Sequence, residues 1–273
     1  AGKPAPRMPY APVLAGESYR GGIGEQFEAR IRPFLPYAIR GVLWDQGEGG
    51  SCITGVDQYT VMGALIRGWR RQWGQGEFPF LIVQKPSGGG CAFDPENPIN
   101  KHADAFSPLP EAMPATADGL YRDTYTRLMS RPNTFLVTVT DLVGGGHPPI
   151  KSAYGARAVR VALGGVYGKP LEIYGPVYRR HTVEGSAVRV AFAHSGKGLT
   201  FRHGDRLQGF AVAGASRVYR WADAVIDGDT VVVSATEVPS PVAVRYAWGK
   251  THPWANLFNR DGLPALAFRT DDW

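Results

Sequence analysis

Cysteine is scarce in this sequence. Only Cys52 and Cys91 occur among 273 residues, too few for a disulfide framework and in no metal-binding spacing. They form either one bridge, in an exported protein, or two free thiols. No run approaches the roughly 20 apolar residues that a membrane helix needs, so no membrane partner is expected. The six histidines include no HxxxH or HxH pair, which speaks against a zinc site, and no metal or other cofactor is expected. A G-x-S-x-G nucleophile elbow is also missing. The formal charge of +6 lacks clustering: Arg67/Arg70/Arg71 and Arg179/Arg180 are short, widely separated groups. Nucleic-acid surfaces concentrate such residues and interleave them with aromatics, so the charge reads as a solvated surface and no nucleic-acid partner is expected. The first residue is Ala rather than Met, so the want of a signal peptide says little about targeting.

Apolar residues make up 44% of the chain, enough for a core in one large domain or two smaller ones. Residues 1–24, rich in Pro, Gly and Ala, read as an extended lead-in. Residues 25–172 read as a first domain, within which 40–172 alternate between two periods. RGVLW (40–44), FPFLIVQ (78–84) and NTFLVTVT (133–140) are short apolar runs that read as strands. Between them, Val56, Tyr59, Met62, Leu65, Ile66, Trp69 and Trp73 recur at helical spacing, as do Leu120, Tyr121, Tyr125, Leu128 and Met129. Pro148 and Pro149 open a third helix through about Tyr167. Strand and helix in alternation give an α/β fold with a parallel sheet covered on both faces, thin at three strands. Residues 85–117 read as a long Gly/Pro-rich loop. From about 173 to 273 the texture changes to short β-branched segments split by turns such as DGD (227–229), a β-rich, sandwich-like region.

Ligands of an open parallel sheet bind beyond the carboxyl ends of its strands. There the sequence places Gln46 and Glu48 after the first strand, Gln84, Lys85 and Ser87 after the second, and Asp141 and His147 after the third. His147 follows three glycines and precedes Pro148, which holds it out of helical angles. A histidine so placed is a candidate general base. The Gln46 amide is a candidate donor to an oxyanion, a contribution of about 3 kcal/mol, and Gly47 beside it permits close backbone approach. Glu48 either orients Gln46, binds substrate or favours the following helix dipole. Lys85 and Arg122 are candidates to meet a substrate carboxylate.

Several blocks, in order, resemble the sialate O-acetylesterases, a family of SGNH-type carbohydrate esterases: IRPFLPYAIRGVLWDQGE (31–48), LIRGWRRQWGQGEFPFLIVQ (65–84), DLVGGGHPPIKSAYGARAVRVAL (141–163) and GLTFRHGDRLQGFAVAG (198–214). The resemblance implies a flavodoxin-like, three-layer SGNH-hydrolase fold, incomplete in this chain, followed by a β-rich region. It implies serine-type acyl transfer on an acetylated carbohydrate, with a periplasmic or secreted location. By motif position His147 matches the family's histidine. Gln46 matches the Gln of its W-x-Q-G-E block, which lines the oxyanion hole, and Trp44 and Glu48 match the same block.

Two departures qualify the likeness. Many SGNH enzymes carry Asp three residues before the histidine, but Gly144 stands there. Asp141 is the expected substitute, with Glu48 or a backbone carbonyl as the alternatives. The family's G-Q-S-N nucleophile block does not occur. Ser18, Ser51 and Ser87 sit in ordinary turn material. The expectation is therefore a catalytic serine delivered by a preceding segment or a separate chain. The other reading is a non-catalytic carbohydrate-binding or scaffold protein that has lost the nucleophile.

Overall fold

The computed structural model describes residues 24–35, 37–47, 49–51 and 53–273. Nearly all of the lead-in expected over 1–24 lies outside them, as do Glu48 and Cys52. The first elements are helix α1 (Glu25–Arg30), strand β1 (Val42–Trp44), helix α2 (Gln58–Trp73), strand β2 (Phe80–Val83), helix α3 (Thr116–Leu128), strand β3 (Thr134–Val137) and helix α4 (Lys151–Val161). The strands pair in the order β1-β2-β3, all parallel. All three expected strands are there, each a few residues shorter than its apolar run.

Local chemistry explains the helix limits. Asp57 caps α2 by accepting the Thr60 N–H at 2.7 Å, and Gly74 ends it in the left-handed conformation at φ 64°. The anticipated apolar stripe is the face that α2 buries: Met62 and Ile66 are 1% exposed. Helix α4 starts at Lys151, three residues later than the two prolines suggest. Pro148 itself precedes a proline and is held extended, so the helix opens only after the pair. At its other end α4 runs on as a wider, π-type turn over Ala162–Val166.

Side chains alternate across the sheet as strand geometry demands. Phe80, Ile82 and Leu136 pack on α2 and α3. Leu81, Val83 and Val137 pack on Ala153, Tyr154, Ala158 and Val161 of α4. Helices thus cover both faces of the parallel sheet. Arg70, which reads from sequence as surface, is 6% exposed. Its guanidinium donates to the carbonyls of Phe78, Pro132 and Asn133, tying α2 to the chain just before β2 and β3.

The rest is antiparallel: β4 (Val177–Glu184), β5 (Ala187–Ala193), β6 (Leu199–Phe201), β7 (Phe210–Ala213), β8 (Tyr219–Trp221), β9 (Asp223–Asp227), β10 (Thr230–Ser234), β11 (Ala243–Tyr246), β12 (Leu257–Asn259) and β13 (Phe268–Arg269). They form sheets β4-β5-β10-β9 and β13-β11-β7-β8 and the pair β12-β6. Val188, Val190, Val231 and Val233 of the first sheet share one core with Phe210, Val212, Val244 and Tyr246 of the second. This region is joined to the parallel sheet: Leu266 enters the core beneath α2 and α3, and the Leu136 N–H donates to the Tyr174 hydroxyl at 3.2 Å.

Among the described residues the β1 edge of the parallel sheet has no further strand beside it. Among the described strands β1 pairs only with β2, and Leu43 at its centre is 56% exposed. Val159, Leu163 and Tyr167, four residues apart along α4 and its extension, are exposed as well. Leu43 pairs with Leu81, whose side chain faces α4, so strand and helix present these apolar groups on the same face of the sheet.

Candidate active site

The carboxyl ends of the three strands carry a linked set of charges. Asp45 follows β1 and Lys85 follows β2. Lys85 is fully buried and pairs with Asp45, Nζ to Oδ1, at 2.6 Å. The other carboxylate oxygen of Asp45 receives Lys151 Nζ, from the first residue of α4, at 3.2 Å. Burial pushes the Asp45 carboxyl pKa up, but the hydrogen bonds and charges of Lys85 and Lys151 outweigh it and hold the group below its usual range. Ser87 Oγ lies 3.4 Å from Lys85 Nζ. An ammonium engaged by a carboxylate donates hydrogen bonds rather than taking protons, so this contact does not activate Ser87 as a nucleophile. Ser51 is spent locally, its hydroxyl donating to the Ile53 carbonyl and accepting the Ile53 N–H, both at 3.1 Å.

Helix α4 also holds the loop that bears His147. The Tyr154 hydroxyl donates to the Val143 carbonyl at 2.8 Å. Arg157 donates to Asp141 Oδ2 at 2.8 Å and to the Thr138 carbonyl at 3.0 Å. The orienting role expected of Asp141 therefore meets a different arrangement. Its carboxylate is tied to Arg157, and among the described residues no hydrogen bond joins it to His147. Gly144 is explained by contact: a Cβ there would collide with the Ser87 carbonyl oxygen and lie 2.7 Å from Gly88 Cα. The loops after β2 and β3 meet backbone to backbone, and an aspartate at 144 has no room. His147 itself is exposed at the end of this loop.

Gln46 is exposed just beyond Asp45, and its amide makes no hydrogen bond among the described residues. Gly47 is buried at φ 128°, with the Tyr125 hydroxyl and Gln58 amide filling the space a side chain would take. Trp44 sets its ring edge-on against Trp69, centroids 5.7 Å apart, so most of its contact is with the core. The remaining residue of this block, Glu48, lies outside the described residues.

A cleft of about 460 Å³ opens beside these loops, walled by Ser87, Gly88 and Gly144, by His102 of the long loop and by Lys250 and Thr251 of the β-rich region. Arg122, at 0% exposure, underlies it. Its guanidinium donates to the carbonyls of Pro86, Gly88 and Lys250. Burial pulls its pKa down to about 9. Arg122 and Lys85 are thus already engaged inside the protein and do not face a ligand. Cys91 is a buried free thiol, which burial pushes up to about 12. No group of His, Cys, Asp and Glu that could hold a metal occurs among the described residues.

Sequence reasoning missed Asp45, Lys151, Tyr154 and Arg157. The local signal for Asp45 was its place inside W-x-Q-G-E. The other three lie four to ten residues beyond His147, at the start of a helix bound to pack under the loop.

No family model matches the chain, and no curated protein matches it. Among solved structures, that of XAC1771, a novel carbohydrate acetylesterase from Xanthomonas citri, matches with a TM-score of 0.73 and 32% identity over 89% of this chain and 53% of that one. The chain spans about half the length of this relative. In sequence and in fold it is related to a carbohydrate esterase.

Proposed function

We propose that this chain forms part of a carbohydrate O-acetylesterase of the SGNH type. It contributes the general base and an oxyanion donor, and a preceding segment or a separate chain contributes the serine. The observation that carries the reading is the match to the acetylesterase along nearly all of this chain. Helices on both faces of a parallel sheet fit the flavodoxin-like arrangement, with the β-rich region behind it.

In this mechanism the serine hydroxyl attacks the acetyl carbonyl while His147 takes its proton. The Gln46 amide donates to the oxyanion that develops. His147 then protonates the departing sugar oxygen, and water, deprotonated by the same ring, releases acetate. Asp141 supports the histidine loop through Arg157, and a backbone carbonyl or Glu48 orients the imidazole. The open edge of β1, with Leu43, Val159, Leu163 and Tyr167 exposed beside it, supports a further strand and helix packing there with the nucleophile. The substrate is an acetylated sialic acid or another acetylated sugar. Because Arg122 and Lys85 are occupied internally, they supply no preference for an acidic sugar.

The chain alone should leave p-nitrophenyl acetate intact. Adding a fragment that bears the G-Q-S-N block should restore turnover, and His147→Ala should abolish it. Turnover by the isolated chain at the same rate would overturn the borrowed nucleophile. Glycan binding without hydrolysis under any complementation would favour a non-catalytic carbohydrate-binding protein.

A further inference from the structure

We propose that Asp45 is a positioning residue that sets the Gln46 amide and the His147 ring at a fixed separation. Its side chain bonds both Lys85, at the end of β2, and Lys151, at the start of α4. One carboxylate oxygen is held by Lys85 at 2.6 Å and the other by Lys151 at 3.2 Å. Lys85 is fully buried, so its ammonium is a fixed point in the core and Asp45 is anchored to it. Gln46 is the next residue along the chain from Asp45.

On the other side the link to His147 is short and stiff. Three residues separate His147 from Lys151, and two of them are Pro148 and Pro149. Two consecutive prolines fix two φ angles, so pinning Lys151 restricts where the ring can go. The far end of the glycine loop is pinned independently, by Tyr154 on Val143 and Arg157 on Asp141. Those two contacts hold the loop to its own helix. Among the described residues, the Asp45–Lys151 contact is the side-chain bond that holds that helix to the strand end carrying Gln46. An acyl-transfer site needs its base and its oxyanion donor in fixed register, and a misplacement of about 1 Å costs on the order of a hundredfold in rate.

The rate part of the test rests on the esterase reading; the geometric part does not. Lys151 is 58% exposed at its side chain, so Lys151→Met should fold normally. In the complemented enzyme it should lower kcat on the order of tenfold with KM nearly unchanged, and Lys151→Arg, which still reaches the carboxylate, should recover most of the loss. Asp45→Asn alone takes a charged partner from the buried Lys85 and should lower the melting temperature. Adding Lys85→Met should restore the melting temperature but not kcat. That double variant has the parent's net charge, so movement of the His147 ring proton signals in NMR spectra of the chain alone reports geometry. Unmoved ring signals in the double variant, or parental kcat in both it and Lys151→Met, would overturn the proposal. Moved signals in a protein inactive under every complementation would uphold the positioning while the esterase reading fails.

Discussion

At Gly144 a missing side chain is a packing requirement. The chain departs here from the Asp of many SGNH enzymes, and the sequence shows only the departure. The structure gives the cause: Ser87 and Gly88 occupy the space a Cβ would need. Gly144→Asp should therefore not create a better-oriented histidine. It should overpack the contact between the two loops at a cost of about 1–3 kcal/mol, and thermal melts should read a drop of several degrees. A raised rate with an unchanged melting temperature would show that the loops yield. Asp141 teaches the complementary lesson. Its place six residues before His147 suggested a partner for the ring, yet Arg157, on the following helix, reaches it first. A carboxylate's partner depends on which helix packs beneath it, and local spacing does not encode that.

Among the elements, the parallel sheet and its helices were readable because burial on both faces leaves a strong imprint: continuous apolar strands and a helical stripe from Tyr59 to Trp73. Their ends were less so, since Pro148 and Pro149 delay α4 by a turn. Arg70 and Arg122 were invisible as core residues. Each is a charged residue by composition, and each is buried because backbone carbonyls at strand ends and loop turns satisfy its planar fork of donors. The open edge of β1 carries the element-scale prediction. Leu43 is 56% exposed, so Leu43→Lys removes little packing from the chain and should leave its melting temperature within about 1 °C, as surface changes do. If the nucleophile-bearing segment adds a strand there, the same change places a charge in a buried sheet face. It should then weaken binding of that segment at least on the order of tenfold in titration calorimetry. Equal affinity for parent and variant would place the docking surface elsewhere.

Across the whole molecule, the candidate site is braced by the β-rich region. The loop around residues 249–252 forms one wall of the cleft. It accepts two hydrogen bonds from Arg122 at the Lys250 carbonyl, and the His252 N–H donates to the Gly89 carbonyl. None of this could be read from local sequence, because the partners lie more than a hundred residues apart. His252 is 4% exposed; burial, reinforced by the nearby Arg122 charge, holds its imidazole well below the usual histidine range. The folded protein keeps this ring neutral at pH values where the unfolded chain, with a pKa near 6.5, takes up a proton. The unfolded state then binds more protons, so stability falls as the pH drops below about 6.5. The melting temperature should decline between about pH 7.5 and pH 5.5, and His252→Asn, which cannot titrate, should reduce that decline whatever its effect at neutral pH. If parent and variant lose stability in parallel over this range, the acid sensitivity arises elsewhere. If the decline flattens, the same scan with the rate of the complemented enzyme as readout will show whether the cleft opens before the molecule melts, because the ring that titrates sits behind the Gly89 wall.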